Sequence, residues 1–145
     1  MTSFGSSPEA GAIGDGFGDY WAVTVSDVVA HNGFDVPCVA DWDSVSYTGG
    51  PSHCLRRVDA NKHYPEDVVG EVHADGELWS RALWDIRRAL GATAADTIVL
   101  EAQFSFVSDT TFARAAAATV AAAQKLYGNS AGKAVTAAFA ARGLS

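Results

Sequence analysis

Basic residues are scarce: Lys and Arg number 10 against 17 Asp and Glu, which leaves a formal net charge of −7. A nucleic-acid or anionic-lipid surface needs a clustered basic face, and the doublets Arg56–Arg57 and Arg87–Arg88 are too few to build one. No nucleic-acid partner is therefore expected. Long apolar runs are also missing, and nothing approaches the ~20 residues that a membrane span requires, so no membrane partner is expected either. Cysteine occurs twice, without a CxxC or a zinc-finger spacing, which excludes a cysteine metal site. The stretch Met1–Gly11 lacks the basic start, apolar centre and cleavage pattern of a secretion signal. The four histidines, His31, His53, His63 and His73, include no pair four apart, so no helix face here carries two histidine ligands.

What is present is a chain of 145 residues with 48% apolar content, enough for one domain over 1–145 that buries roughly two-thirds of its unfolded surface. The pattern predicts a mainly α fold of about five helices. The first covers about 7–30, capped by Ser6 or Ser7, with Pro8 in the first turn and Glu9 at the positive end of the dipole. Residues 31–72 are broken by Gly33, Pro37, Gly49, Gly50, Pro51 and Pro65 and form a long irregular loop with a strand-like run near Val36–Trp42. A second helix starts at Asp75 as cap. Leu78, Ala82, Ile86 and Ala89 form its buried stripe, Trp79, Leu83 and Leu90 lie beside it, Glu77 faces Arg81, and Gly91 ends it. A buried helix follows over about 94–106, although Thr97–Leu100 taken alone suits a strand. Ser108 or Asp109 caps an alanine-rich helix that ends at Gly128, in which Ala117, Ala118, Ala121 and Ala122 permit close packing. Ser130 opens the last helix, which ends at Gly143.

A loop of about forty residues inside a compact domain is usually functional or stapled. Cys38 and Cys54, sixteen positions apart within it, are disulfide candidates, and closing that loop would contribute ~3 kcal/mol in the chain-entropy model. Two unrelated buried thiols are the alternative. Asp41 and Asp43, flanking Trp42, are better explained as solvated loop acids than as a calcium pair.

The first helix carries glycines at 11, 14, 16 and 18, each costing ~1 kcal/mol relative to alanine. At helical spacing Gly11, Gly14 and Gly18 share one narrow stripe, with Ile13, Phe17, Tyr20 and Trp21 roughly opposite. Such a stripe admits another backbone at close range. Asp15 and Asp19, four apart, flank it on one edge. No GxGxxG is met, so a dinucleotide loop is excluded.

The segment Gly11-Ala-Ile-Gly-Asp15-Gly-Phe-Gly-Asp19-Tyr-Trp21 resembles the second active-site helix, GA-I-x-E-x-x-x-D, of thermolysin-type and, more closely, fungalysin-type zinc metallopeptidases. Val72-His73-Ala-Asp-Gly-Glu-Leu-Trp79 is similar to the fungalysin segment VHxxGE-W. Cys54-Leu-Arg-Arg57, the run Asp96–Phe106 and Asp109-Thr-Thr-Phe-Ala113 also resemble bacterial fungalysin C-terminal lobes. The resemblance, from about residue 5 onward, implies a thermolysin-like C-terminal helical lobe. It implies that Asp15 stands at the third zinc ligand, that Asp19 is the carboxylate orienting a ligand histidine, and that His73 is the histidine stabilising the tetrahedral intermediate. Glu71 and Asp67 are nearby carboxylates that could orient His73.

Two departures accompany the resemblance. The HExxH helix is absent from this sequence; in the family it lies just upstream of where Met1 falls, so the chain reads as the C-terminal lobe of a peptidase cut after its metal motif. Asp15 replaces a glutamate and is one methylene shorter, against zinc–oxygen bonds of ~2.0–2.2 Å. Zinc is expected only if the HExxH helix is supplied from outside the chain, and that N-terminal lobe is the implied partner, as the packing partner of the glycine stripe. The expected function is the C-terminal lobe of a secreted zinc endopeptidase acting on peptides or proteins, inactive as the isolated chain. The alternative is a non-catalytic helical binding or remnant domain of the same descent.

Overall fold

A computed structural model describes residues 5–29 and 35–145. The elements run α1 (Pro8–Val29), β1 (Cys38–Val39), α2 (Ser44–Tyr47), β2 (Arg56–Arg57), α3 (Val72–Leu90), α4 (Ala92–Gln103) and α5 (Phe112–Ala140). The mainly helical architecture follows the sequence pattern, with α2 as a short addition inside the loop.

Helix ends are set by side chains that can reach free amides. Ser7 Oγ accepts from Ala10 N at the start of α1. At α3 the cap is Glu71, which accepts from His73 N and Ala74 N. Those two amide donors hold the Glu71 carboxyl below the usual carboxylate range. Asp75, expected as the cap, lies in the first turn and turns back to accept from Val69 N and Gly70 N, tying the preceding loop to the helix. At α5 the cap is Thr111 rather than Ser108 or Asp109, and Glu9 reaches across from α1 to accept the Phe112 amide at 2.6 Å. The two expected C-terminal helices are both present within α5 and meet at a break at Gly128, whose φ of 83° and ψ of −178° are not helical. The second of them starts beside Ser130, just after that break, as the sequence pattern requires.

The core gathers Trp79, stacked 4.9 Å from Phe139 and 6.1 Å from Phe112, with Ile13, Tyr20, Leu78, Leu83, Ile86, Ile98 and Leu144. Ala89 is exposed and Arg87 takes an inward place instead, donating to Asp96 on α4 and Asp27 on α1. Tyr20 Oη donates to the same Asp96 at 2.6 Å, and burial followed by that carboxylate pushes the phenol far above its ordinary range, so it stays a donor. In α5 the buried alanines are 115, 116, 122, 123, 131 and 138, while Ala117 and Ala121 face solvent. Thr97–Leu100 is helical.

The irregular segment is clamped rather than loose. Of the strand-like run only Cys38 and Val39 pair, antiparallel with Arg57 and Arg56, because Pro37 has no amide to donate and Ala40 turns away at a φ of 52°. Cys38 and Cys54 are joined by a disulfide. Val39 and Val58 pack on Val23 of α1. Glu77 does not pair with Arg81: it accepts the Arg57 amide and meets Lys62 Nζ at 2.6 Å, while Arg81 turns to Asp85.

Helix α1 packs on α3 at very close range. A Cβ at Gly16 would fall on the Gly76 carbonyl oxygen, and one at Gly76 would stand 3.0 Å from Gly16 N. Gly16, outside the expected stripe, is thus the residue that a neighbouring backbone needs small, and that neighbour is α3. Gly11 lies against the Val72 side chain, whereas Gly18 faces open space.

Gly16→Ala should therefore lower stability by about 1–3 kcal/mol through overpacking, despite alanine's better helix propensity. Gly18→Ala, with room for its methyl, should gain up to about 1 kcal/mol. Urea unfolding of the two variants checks both signs. Mass spectrometry should find the oxidised chain two hydrogens lighter than the reduced one. The double variant Cys38→Ser/Cys54→Ser should unfold about 3 kcal/mol more easily.

Candidate functional site

Because α1 and α3 meet backbone to backbone at Gly16 and Gly76, the residues beside those glycines face each other. Asp15, one position before Gly16, receives a hydrogen bond from His73 Nδ1 on its Oδ1 at 2.6 Å. A carboxylate only accepts, so the proton of this bond sits on Nδ1. His73 lies in the first turn of α3 with its side chain 59% exposed, and its Nε2 is 3.9 Å from Glu71 Oε1.

Arg56 completes the cluster from β2. Its Nε and Nη2 donate to the two oxygens of Asp19 at 2.6 and 2.7 Å, a bidentate pair, and Nε is also 3.6 Å from Asp15 Oδ2. Asp19 is almost fully enclosed, with a side chain 5% exposed. Burial raises its carboxyl above the ordinary value even with Arg56 alongside, and the hydrogen bonds to Asp19 raise the guanidinium in turn. Strand β2 places Arg56 here through its pairing with β1 and the Arg57 amide bond to Glu77.

Of the positions singled out in the sequence, Asp15, Asp19 and His73 come together, and Cys38 and Cys54 staple the loop that delivers Arg56. The other described histidines, His53 and His63, bond or lie elsewhere. His53 bonds Thr48 Oγ1 and the Pro51 carbonyl, and His63 lines an open groove beside Tyr64 and Ala140. His31 lies outside the described residues. Neither carboxylate suggested as the orienter of His73 takes its Nδ1: Asp67 accepts from the His63 amide and Glu71 caps the helix. Arg56 is the functional-looking residue that the sequence pattern left without a role. Its signal was the buried acid at Asp19, which needs a cation.

Does this arrangement suit zinc? Among the described residues no group of three or more His, Cys, Asp or Glu side chains is placed to hold a metal ion. Asp15 Oδ1 is engaged by His73, and Asp15 Oδ2 is buried without a hydrogen-bond partner. That orphaned oxygen points into the seam between the helices, where a Cβ at Gly76 would come within 3.1 Å of it. The nearest charge is Arg56, a cation that disfavours a second one. These residues by themselves do not fit the metal.

The class defined by this geometry is a helical lobe presenting an acid–histidine–arginine cluster at the junction of two helices. A protein-family model described as the thermolysin metallopeptidase alpha-helical domain matches residues 4–144, and the chain belongs to that family. A search of curated proteins finds no match.

Removing the cation should expose the cost of the buried acid. Arg56→Met should destabilise the fold by about 3–5 kcal/mol at neutral pH, the usual penalty for leaving a buried charge unpaired. Asp19 already lies above its ordinary value when folded, and loss of Arg56 raises it further. The deficit is then full above that raised value and shrinks as pH falls through it, because the neutral acid needs no partner. Urea unfolding of wild type and variant across the acidic range reads the narrowing directly.

Proposed function

We propose that this chain is the helical half of the active site of a secreted zinc endopeptidase, completed by an HExxH-bearing half that the chain does not itself contain. The observation that carries the reading is the 2.6 Å contact between Asp15 and His73. Two segments resembling separate peptidase motifs, and lying far apart in the sequence, deliver their chemistry-bearing side chains to one place, inside a family defined by that chemistry.

Bound zinc, in such an enzyme, polarises a peptide carbonyl and activates water. This chain's own part is different. His73 presents an exposed imidazole whose ring is fixed through Nδ1, leaving Nε2 to face a bound peptide and, when protonated, to donate to an oxygen that gains charge. Arg56 holds Asp19 in place, and Asp19 stands where the resemblance puts the carboxylate that orients a ligand histidine. Asp15 stands where it puts the third metal ligand.

The outer face of α1 supports an added half. Gly18 has nothing within 4 Å of a Cβ position, and the same face continues into exposed Val25, Val28 and Val29. Small residues followed by uncovered valines suit a packed helix. The disulfide supports an extracellular setting, and among the described residues no helix is long and apolar enough to cross a membrane. The closer likeness to the fungalysin branch rests on the sequence motifs.

The chain alone should neither hold zinc tightly nor hydrolyse peptides. Calorimetric zinc titration together with a casein assay tests this. The expected result is weak, non-stoichiometric heat and no turnover, and a tight 1:1 site with hydrolysis would contradict it.

A further inference from the structure

We infer that in this chain Asp15 is the positioning partner of His73 and not a metal ligand. The inference takes the location of the site from the peptidase reading but assigns Asp15 a role that reading does not give it.

Oδ1 of Asp15 is taken by the chain's own imidazole, and Oδ2 is buried without a hydrogen-bond partner. Oδ1 accepts from His73 Nδ1 at 2.6 Å, within the range of a charge-assisted bond. Oδ2 is enclosed between α1 and α3, against the space that Gly76 leaves, with Arg56 Nε at 3.6 Å. A cation arriving from outside with its other ligands reaches Oδ1 only by displacing the imidazole, and reaches Oδ2 only by entering a closed seam beside a guanidinium. That guanidinium cannot swing clear, because both its engaged nitrogens are held by Asp19. The shorter aspartate side chain keeps the carboxylate close to the seam, where a longer one would extend past it.

What Asp15 does instead follows from the same contacts. A carboxylate on Nδ1 selects the Nδ1–H tautomer, fixes the ring plane, and leaves the Nε2 lone pair as the free end of the imidazole. Among the groups around the ring, Glu71 approaches Nε2 no closer than 3.9 Å. Nε2 is thus open to accept a proton from, or when protonated donate one to, a ligand.

The test is nuclear magnetic resonance of the histidine ring nitrogens of the full chain, labelled with nitrogen-15, at a fixed alkaline pH. His73→Gln assigns the signal. In the wild type the Nδ1–H form should exceed the other tautomer at least about tenfold, the preference that a hydrogen bond to a charged acceptor confers. Equimolar zinc should leave the His73 ring and the Asp15 carboxylate carbon unshifted. Asp15→Asn should turn the Nε2–H form into the majority, with a circular dichroism spectrum confirming that the variant is folded. An Nε2–H tautomer in the wild type, or zinc shifting the Asp15 carbon, would overturn the inference, and neither result depends on the variant folding. An unchanged tautomer in folded Asp15→Asn would overturn it equally. Rejection of the peptidase reading comes from a different measurement, since an absence of peptidase activity with any HExxH-bearing half leaves the ring signals as they are.

Discussion

Asp15 and His73 are 58 positions apart, and what brings them within 2.6 Å is the distance at which α1 and α3 can lie. Helices usually pack with axes about 8–10 Å apart, set by the side chains at the contact. Here the contact is Gly16 on Gly76, with no side chain on either partner, so the backbones touch. A single added methyl would push the helices apart by an amount comparable with the tolerance of a hydrogen bond. The glycine pair therefore does more than permit packing. It sets the geometry of the site, since the acid precedes one glycine by a single residue and the histidine precedes the other by three.

The second constraint is charge. In a chain with a net charge of −7, cations are few, and several of them hold the long segment before α3 onto the helices. Arg56 pins β2 to Asp19 of α1, Lys62 reaches Glu77 and the Ala74 carbonyl of α3, and Arg81 donates to the carbonyls of Asp59 and Ala60. With the disulfide and the two short strands, these bonds turn an irregular stretch into a fixed wall of the site. The same pairing explains why Asp19 can be buried at all. An acid so enclosed is costly, and its carboxyl stays raised even with two hydrogen bonds from a guanidinium.

The helices and the core were legible because apolar spacing reports directly on which face is buried: Leu78, Trp79, Leu83 and Ile86 are all inside, as their periodicity requires. Less legible was anything decided by a contact between distant segments. Asp75 has the side chain of a helix cap, but Glu71 was in reach of the free amides and Asp75 was drawn to the loop amides before it. Glu77 and Arg81 have the spacing of a helical ion pair, yet Glu77 found Lys62 in the clamped segment, and Arg81 turned to Asp85 on its own helix and to the Asp59 and Ala60 carbonyls. Of the glycines, helical phase picked out 11, 14 and 18 as a stripe, whereas the contact that matters is at Gly16, which only the position of α3 could identify. Asp15, Asp19 and His73 were reachable from motif resemblance. Arg56 lay in a segment that shared the resemblance, but its role was not readable, because nothing in the spacing pairs it with Asp19 until that acid is seen to be buried.

The loss of one methylene at position 15 ties these threads together. A glutamate there would carry its carboxylate outward past the seam, whereas aspartate keeps it at the depth where His73 and Arg56 already lie. Position and access are then linked: the closer the helices, the deeper the acid, with Oδ1 taken by His73 and Oδ2 closed into the seam. A carboxylate so enclosed orients a histidine well, because its own movement is limited by the glycine contact beneath it. It serves poorly as a ligand for an ion that must enter from solvent, since Oδ1 would have to leave His73 and Oδ2 lies buried in the seam. The same close packing that assembles the cluster thus determines which of the family's functions this acid is built to perform.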